Sequence, residues 1–308
     1  MQLSVFAALG ARTGQWDIDT YVQSIARFAD AGFTRVWSAQ LPWDADLFTA
    51  QAVALREVPA VELGSAVLPI QVAHPMLTAQ RALTLNAIAG GRFKLGLGVN
   101  HPGISTQLWG IPWDKPVRRM SEYLDGLLPL LAGQKADAVG ELVTTRGELD
   151  IAGAPAPEVY LAAMGPQMLR LAGRRCAGTI TWMTGPKTLA NHIGPTLRDA
   201  AAEAGRPEAV RVAAGIPLCV TDDVAGARAR AAEQFRLYGT LPSYRAMLDR
   251  EGYASPEDAV VIGDEGTVSD RIEELRSAGV DELIASPFGD DEESIARSVA
   301  LLKAVAGV

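Results

Sequence analysis

The sequence predicts an α/β protein of the (β/α)8, or TIM, barrel class. Eight short apolar runs occur along the 308 residues, and most are followed by a helix-like run. Most are continuously apolar rather than alternating, which is typical of parallel strands that helices cover on both faces. Eight strand–helix units in a chain of this length favour a barrel over a doubly wound sheet. The runs are residues 3–9, 35–39, 61–68, 93–99, 158–164, 178–183, 210–220 and 282–288.

The helical runs between these strands carry start and stop signals. Residues 17–31 begin with acidic residues and end before Gly32, and residues 75–89 begin at Pro75 and end before Gly90. Proline fits the first helical turn, and glycine fits the left-handed position that follows the last one. The other helices are predicted at residues 118–131, 166–176, 186–204, 224–238, 267–278 and 291–305.

Two segments exceed a minimal barrel and are predicted as insertions before strand five and before strand eight. Residues 134–157 contain ELVTTRGELDIAG, which predicts a small hairpin. Residues 240–264 contain SYRAMLDREG, which predicts a short helix, and a Pro- and Asp-rich loop. Such segments commonly act as lids or oligomer contacts. Because no linker or repeat is visible, residues 1–308 are predicted to form one domain.

Composition narrows the class of partner. The formal net charge is −8 with no basic block, which argues against a nucleic-acid partner. The first residues lack the basic stretch of a secretion signal, and no apolar run reaches the ~18 residues of a membrane helix. The sequence therefore predicts a cytoplasmic protein without a membrane partner. Cys176 and Cys219 are expected to be buried free thiols.

The glycine motif at the end of strand four has two interpretations. Gly96 and Gly98 resemble the start of a dinucleotide fingerprint, but His101 stands where the third glycine would be, and no helix follows at once. A Rossmann site is therefore rejected. The glycines either let a planar ligand approach the strand end closely or relieve crowding inside the barrel.

Two strand-to-helix turns share a Gly-Pro pair. The sequence MGPQ begins at Met164 after strand five, and TGPK begins at Thr184 after strand six. Proline at the first helical position has no N–H, and the next N–H groups at the positive end of the helix can bind an anion. The hydroxyl of Thr184 and the charge of Lys187 would add to such a site. Together the turns predict one phosphate subsite; alternatively, each Gly-Pro pair only starts a helix.

Other chemistries are poorly supported by the residues at the strand ends. The three histidines, His74, His101 and His192, have no partner at metal-ligand spacing, so no metal site is expected. No nucleophile elbow or P-loop occurs, and carboxylates such as Asp44 are scarce at the strand ends. Tryptophans near strand ends either line a ring-binding pocket or pack in the core. They are Trp16, Trp37, Trp43, Trp109, Trp113 and Trp182.

Four longer motifs carry a family resemblance over nearly the whole chain. They are VELGSAVLP, GGRFKLGLGVNHPG, AAMGPQMLRLAGRRCAGTITWMTGP and YGTLPSYRAMLDREG. With these motifs the chain resembles the luciferase-like oxidoreductases of the bacterial luciferase superfamily. Within that superfamily it is similar to the actinobacterial group that uses coenzyme F420, with FMN as the alternative cofactor.

The resemblance implies specific site residues. It places a non-proline cis peptide bond behind the flavin ring, at Ala66 and Val67. It places ring contacts after strand four and phosphate contacts in the two Gly-Pro turns. The full set of cofactor-binding residues that it implies is Gln40, Ala66, Val67, Val99, Asn100, His101, Ala163, Met164, Gly165, Pro166, Gln167, Thr184 and Gly185.

One departure from the family pattern bears on the reaction. Members that oxidise sugar phosphates carry an acid and a histidine after strand two and a glutamate after strand four, whereas the matching places hold Gln40, Leu41 and His101. The resemblance therefore favours reduction of a C=C, C=N or C=O group by reduced F420, with His101 either as the proton donor or only as a group that orders the loop.

Further expectations concern the alternative functions, the ligands and the assembly of the protein. An FMN-dependent monooxygenase is the alternative enzyme, and a non-catalytic flavin- or deazaflavin-binding protein is the alternative from another class. The only ligands expected besides the cofactor are small-molecule substrates. The resemblance also implies a homodimer, and residues 48–55 and 74–85 are predicted to carry the apolar faces that form it.

Overall fold

The strands of this computed structural model follow the predicted runs closely. The structure describes residues 1–10, 16–151, 153–206, 210–289 and 292–307. The strands within these ranges are β1 (Gln2–Phe6), β2 (Arg35–Ser38), β3 (Glu62–Ser65), β4 (Leu68–Pro69), β5 (Phe93–Gly98), β6 (Ala136–Val139), β7 (Thr144–Gly147), β8 (Glu158–Ala162), β9 (Gly178–Trp182), β10 (Arg211–Val220), β11 (Val261–Gly263) and β12 (Glu282–Pro287).

The helices lie where the sequence predicts them, except for the second one, Leu47–Glu57, which no start or stop signal located and which is new in the structure. They are α1 (Ile18–Asp30), α2 (Leu47–Glu57), α3 (Pro75–Ile88), α4 (Pro116–Leu131), α5 (Pro166–Arg175), α6 (Pro186–Thr188), α7 (Gly194–Glu203), α8 (Val224–Gln234), α9 (Pro242–Glu251), α10 (Glu265–Ser277) and α11 (Glu292–Ala306). A π-helical turn, Leu189–Ile193, joins α6 to α7, so the chain is helical without a break over residues 186–203.

Strand pairing confirms the (β/α)8 barrel. One sheet has the order β11-β10-β12-β1-β2-β3-β5-β8-β9, with β4 beside β5. The strand β9 also pairs with β10, so the pairing returns on itself as a closed barrel requires. The pairs that β5 and β10 make with their neighbours are parallel. The third barrel strand is divided into β3 and β4.

The chain divides into two compact units. The first unit comprises Met1–Ala7, Phe28–Val36 and Ala163–Val308. A buried ion pair joins the first residues of β2 and β12, where Arg35 Nη1 lies 2.6 Å from Glu282 Oε2. Ser4 of β1 also donates to Glu282. The second unit comprises Ala8–Arg27 and Trp37–Ala162. In its core, the rings of Trp37 and Tyr160 meet edge to face, with 5.7 Å between their centroids. That the whole chain forms one domain stays a prediction.

Three predictions about the outer segments need correction. The hairpin of the first insertion begins at Ala136, before the stretch predicted to contain it, and pairs Ala136–Val139 with Thr144–Gly147. In the second insertion the predicted short helix is confirmed as α9, but the loop after it also holds β11, an unpredicted strand beside β10. The apolar side of α2 is also unavailable for a partner, since Phe48 and Leu55 are buried in the second unit itself.

Two negative findings apply to the described ranges only. No helix there has the length and apolar character needed to cross a membrane. No group of three or more His, Cys, Asp or Glu side chains there is placed to hold a metal ion. Both cysteines are buried free thiols, as predicted.

Candidate functional site

The predicted ring-binding residues lie in the second unit and are called here the β4–β5 group. The group comprises Gln40 after β2, Ala66 and Val67 between β3 and β4, and residues 99–101 (Val99, Asn100 and His101) after β5. The peptide bond between Ala66 and Val67 is cis, as the family resemblance implied. The chain between β3 and β4 thus has the backbone conformation that was expected there.

Packing between this bend and β5 explains the glycine motif. A β-carbon at position 98 would lie 2.6 Å from Cγ2 of Val67, so only glycine leaves room for that side chain. The Ser65 hydroxyl lies 2.8 Å from the Gly96 nitrogen and 2.9 Å from the Gly96 carbonyl oxygen, and so ties β3 to β5. Gln71 donates to the carbonyl of Val99 on the same turn. The structure thus gives Gly98 a packing role, which is the relief-of-crowding interpretation of this glycine.

The turn after β5 fixes the position of His101. Asn100 has φ of 54°, in the left-handed region that asparagine tolerates better than most residues. Its Oδ1 accepts from the N–H of His101 at 2.8 Å, and the His101 carbonyl accepts from Ser105 at 3.0 Å. His101 is half-buried, and this burial lowers its pKa from the ordinary value of 6.5. The neutral imidazole is therefore the favoured form at neutral pH.

Gln40 is engaged within its own loop. Its Nε2 donates to the carbonyls of Leu41 and Ala45 at 3.0 and 3.1 Å, and its Oε1 accepts from the N–H of Leu47 at 2.7 Å. These bonds hold the loop that leads into α2. The predicted contact of Gln40 with a cofactor stays a prediction, and in this structure its amide supports the loop.

The predicted phosphate-binding residues lie in the first unit and are called here the β8–β9 group. They are Ala163, Met164, Gly165, Pro166 and Gln167 after β8, with Thr184 and Gly185 after β9. Two contacts connect the two turns. His192 Nε2 lies 2.8 Å from the Met164 carbonyl oxygen, and the buried Thr184 hydroxyl points to the Met164 sulfur at 3.6 Å.

The helix start after β8 is open. Gly165 is the N-cap of α5, residues 165–167 are exposed, and no described atom lies within 4 Å of where a β-carbon at position 165 would be. In the described part of the chain, no group accepts a hydrogen bond from the N–H of Gln167 or Met168. The positive end of this ten-residue helix thus lies at an exposed turn and carries two N–H groups without an acceptor among the described residues, which is an anion-binding arrangement.

The helix start after β9 is filled by the chain itself, so it does not add free N–H groups to the single phosphate subsite predicted from the two turns; contacts of Thr184 and Gly185 with a cofactor stay a prediction. The backbone N–H of Lys187 donates to Glu251 Oε1 at 3.0 Å, and the backbone N–H of Thr188 donates to Glu251 Oε2 at 2.7 Å. A carboxylate of the chain itself therefore occupies the place predicted for a phosphate. Sequence analysis missed Glu251, although an acid in the last turn of a helix, beside the negative helix end, indicates a partner elsewhere.

Aromatic side chains gather beside the β9 turn. Trp182, at the end of β9, packs near Phe6, Phe235 and Tyr238 with ring centroids 6.0 to 6.4 Å apart. Tyr238 in turn meets Tyr244 of α9 at 4.7 Å. Burial raises the pKa of both tyrosines, so both hydroxyls are protonated at neutral pH. Trp182 thus borders the group, whereas Trp37 is a core residue.

The fold and the position of these groups define a class. They follow the carboxyl ends of barrel strands, where (β/α)8 enzymes carry their active sites. Residues 1–282 match the family described as luciferase-like monooxygenases, and the chain therefore belongs to this family of oxidoreductases.

Individual relatives agree with this assignment. The chain is 28% identical to a 5,10-methylenetetrahydromethanopterin reductase of Methanolobus tindarius, over 90% of this chain and 94% of that protein. It is also 28% identical to a putative coenzyme F420-dependent oxidoreductase of Mycobacterium tuberculosis, over 71% of this chain and 68% of that one. The solved structure of coenzyme F420-dependent tetrahydromethanopterin reductase from Methanopyrus kandleri has the same fold, with a TM-score of 0.80, 22% identity and coverage of 98% and 97%.

Proposed function

We propose that the protein is a coenzyme F420-dependent oxidoreductase that reduces an activated C=C, C=N or C=O group of a small molecule. One sequence relative is named as a putative coenzyme F420-dependent oxidoreductase and another is named for a reduction, and both names support the proposal. The structural observation that supports a phosphate-bearing cofactor is the open, exposed start of α5, which suits F420 and FMN alike. The choice of F420 over FMN rests on the sequence relatives.

The residues of the chain fit a phosphate-bearing, ring-containing cofactor. The N–H groups of Gln167 and Met168 would bind the phosphate, and the absence of a side chain at Gly165 keeps that approach open. By the family resemblance the ring would lie at the bend at Ala66 and Val67, where Gly98 leaves room for the Val67 side chain. A deazaflavin supplies hydride chemistry when it is bound, and the protein's task is then to orient the substrate and exclude water.

His101 is the proposed proton donor of the β4–β5 group. Its backbone is fixed by Asn100 and by the turn that follows, so the imidazole is carried at a defined place after β5. In a reduction of this kind, one substrate atom receives hydride and its neighbour needs a proton. The lowered pKa of His101 means that its protonated form is scarce at neutral pH. The fraction of His101 that can donate a proton therefore rises as the pH falls.

A monooxygenase that uses FMN is the second candidate, and the description of the matching family favours it. The two candidates differ in their response to oxygen, since a deazaflavin does not readily activate it. Oxygen uptake in the presence of reduced FMN would support the monooxygenase. Tight binding of F420 without oxidation of reduced F420 by any of a panel of C=C, C=N and C=O compounds would support a non-catalytic binding protein.

A fluorescence titration with oxidised F420 and with FMN tests the choice of cofactor. We expect F420 to bind with a dissociation constant in the micromolar range or tighter, about −8 kcal/mol of binding free energy, and more tightly than FMN. Equal or tighter binding of FMN would contradict the proposal.

A substitution at Gly165 tests the phosphate site itself. Gly165→Asp places a carboxylate at the N-cap, where it would satisfy the open N–H groups and repel a phosphate. We expect F420 to bind about tenfold more weakly or worse, while the thermal stability is unchanged or raised. Gly165→Ala adds no charge and no cap, and serves as the matched control. Equal affinity in both variants would remove the α5 start from the site.

A further inference from the structure

Glu251 makes the β9 turn unlike the β8 turn. Both turns consist of a glycine and a proline that start a helix, and both present two N–H groups at its positive end. Gly165 is exposed, and no described atom lies within 4 Å of where its β-carbon would be, whereas Gly185 is buried. A β-carbon at position 185 would lie 2.6 Å from Cγ and 2.7 Å from Oε1 of Glu251. The carboxylate of Glu251 therefore lies directly over the turn.

Glu251 joins the negative end of α9 to the positive end of the helical stretch 186–203. Glu251 is the last residue of α9, where its charge is unfavourable beside the negative end of its own helix. At the β9 turn it meets the positive end of the helical stretch 186–203 and accepts one N–H with each oxygen. Charge-assisted hydrogen bonds of this kind are about twice as strong as neutral ones. A phosphate at this turn would have to replace both of them.

The helix that carries Glu251 is held at several points. Near its start, Tyr244 packs against Tyr238 with 4.7 Å between ring centroids. Arg245 donates to the carbonyl of Tyr253 at 2.6 Å and to that of Ala254 at 2.9 Å, which fixes the chain just beyond the helix. Because α9 is anchored on both sides of Glu251, the carboxylate is carried to the turn by the fold and not by a loose side chain.

We propose that Glu251 is a specificity-determining residue that keeps external anions away from the β9 turn. The protein then holds a single phosphate group, at the start of α5, and accepts substrates that bring no phosphate or carboxylate to the β9 turn. The part of the substrate that meets the β9 turn is therefore uncharged. The exclusion of anions concerns only the donors at residues 187 and 188, whereas the statements about the single phosphate and the substrate rest on the proposed function.

Hydrogen exchange with inorganic phosphate as the probe tests this inference. We compare wild type, Glu251→Ala and the matched control Asp249→Ala. Asp249 lies in the same helical turn, and its carboxylate pairs with Arg245 Nε at 2.8 Å. We expect phosphate to slow exchange over residues 186–193 in Glu251→Ala at about a tenfold lower concentration than in wild type or the control. Exchange over residues 166–175 reports phosphate binding at the start of α5 separately in all three proteins. If phosphate does not slow exchange there, the proposed phosphate site is contradicted, but the inference about Glu251 is not affected.

Two outcomes would overturn the inference. Phosphate that slows exchange over residues 186–193 equally in wild type and Glu251→Ala would show that Glu251 excludes nothing. A folded Glu251→Ala protein with no phosphate effect in this segment would show that the turn does not bind anions. If the alanine variant does not fold, Glu251→Gln takes its place, because it removes the charge and keeps an oxygen acceptor. Either of the two outcomes above, observed with Glu251→Gln, would then overturn the inference.

Discussion

Burial sets the protonation state of His101. The half-buried imidazole favours its neutral form, so the folded-state pKa lies below the ordinary 6.5. By linkage, this group contributes stability at pH values above 6.5, and the contribution is lost as the pH falls through the lowered pKa. If His101 donates a proton during turnover, the rate falls as the pH rises above that pKa.

A substitution separates the two roles considered for His101. His101→Asn keeps a hydrogen-bonding nitrogen but cannot transfer a proton. We expect turnover to fall roughly a hundredfold or more, with F420 affinity nearly intact and with the acid-favoured pH dependence lost. The measurement is steady-state oxidation of reduced F420 across pH.

The control for this experiment is His74→Asn. His74 is the N-cap of α3, where Nδ1 lies 3.2 Å from the Met76 nitrogen, and asparagine is also a good N-cap. Normal turnover in His101→Asn would eliminate the acid role, and loss of F420 binding would assign His101 to the ring or the loop.

At the scale of elements, one carboxylate holds the β6–β7 hairpin. Glu122 of α4 accepts the N–H groups of residues 141, 142 and 143 at 3.1, 2.7 and 2.9 Å, and Arg118 at 2.8 Å. Burial alone would raise the pKa of Glu122, but these hydrogen bonds outweigh it and lower the pKa to about 2. The turn between β6 and β7 thus depends on a charge from a separate helix.

Replacement of Glu122 should therefore loosen the hairpin. Glu122→Gln leaves one acceptor oxygen for three N–H groups, and we expect a loss of about 1–3 kcal/mol in the free energy of unfolding. Hydrogen exchange over residues 136–147 should speed up. Because the folded pKa is depressed, the wild-type contribution is complete above the ordinary carboxyl pKa and is lost as the pH falls towards 2; the variant lacks this dependence.

Asp137→Asn is the matched control for the hairpin. Asp137 lies on β6 and pairs with Arg146 at 3.2 Å, but both side chains are mostly exposed. Exposed pairs contribute about 0–1 kcal/mol, so urea unfolding of this variant should resemble that of wild type. A Glu122→Gln protein with wild-type stability and exchange would show that the hairpin is held by its own strand pairing.

At the scale of the whole molecule, the homodimer stays a prediction of the family resemblance. The structure narrows where it would form, since the apolar side of α2 is buried in its own unit. On α3, Leu77 and Ile88 remain 39% and 45% exposed, and Val72 just before it is 52% exposed. These three exposed apolar side chains are the ones in this region that we expect a second copy to cover.

Sedimentation at micromolar concentration tests the dimer. We expect a dimer for wild type, and about a tenfold or greater weakening in Leu77→Glu, because a buried unpaired charge opposes association. Leu237→Glu is the control, since Leu237 is 62% exposed and lies away from α3 in sequence and in the other unit. A wild-type protein that sediments as a monomer would refute the prediction.

Local patterns in the sequence were sufficient for most of the fold. The eight barrel strands and the helices between them, except α2, could be predicted because continuous apolar runs, Gly stops and Pro starts act over neighbouring residues. The same reasoning located the two Gly-Pro turns and, with the family resemblance, the bend at Ala66 and Val67. It missed β11, a strand of three residues whose pairing with β10 carries no periodic signal.

Only the tertiary structure decided how these parts are used. Gly98 is glycine because Val67 lies against it, and His101 has a lowered pKa because it is half-buried. The β9 turn is closed by Glu251, which lies 64 residues beyond Lys187 in the chain. Contacts of this length leave no trace in periodicity or local composition, because they depend on which surfaces meet after folding. The sequence by itself determined the barrel and the family. The folded chain determined that, of the two Gly-Pro turns, the one after β8 is open and the one after β9 is occupied by Glu251.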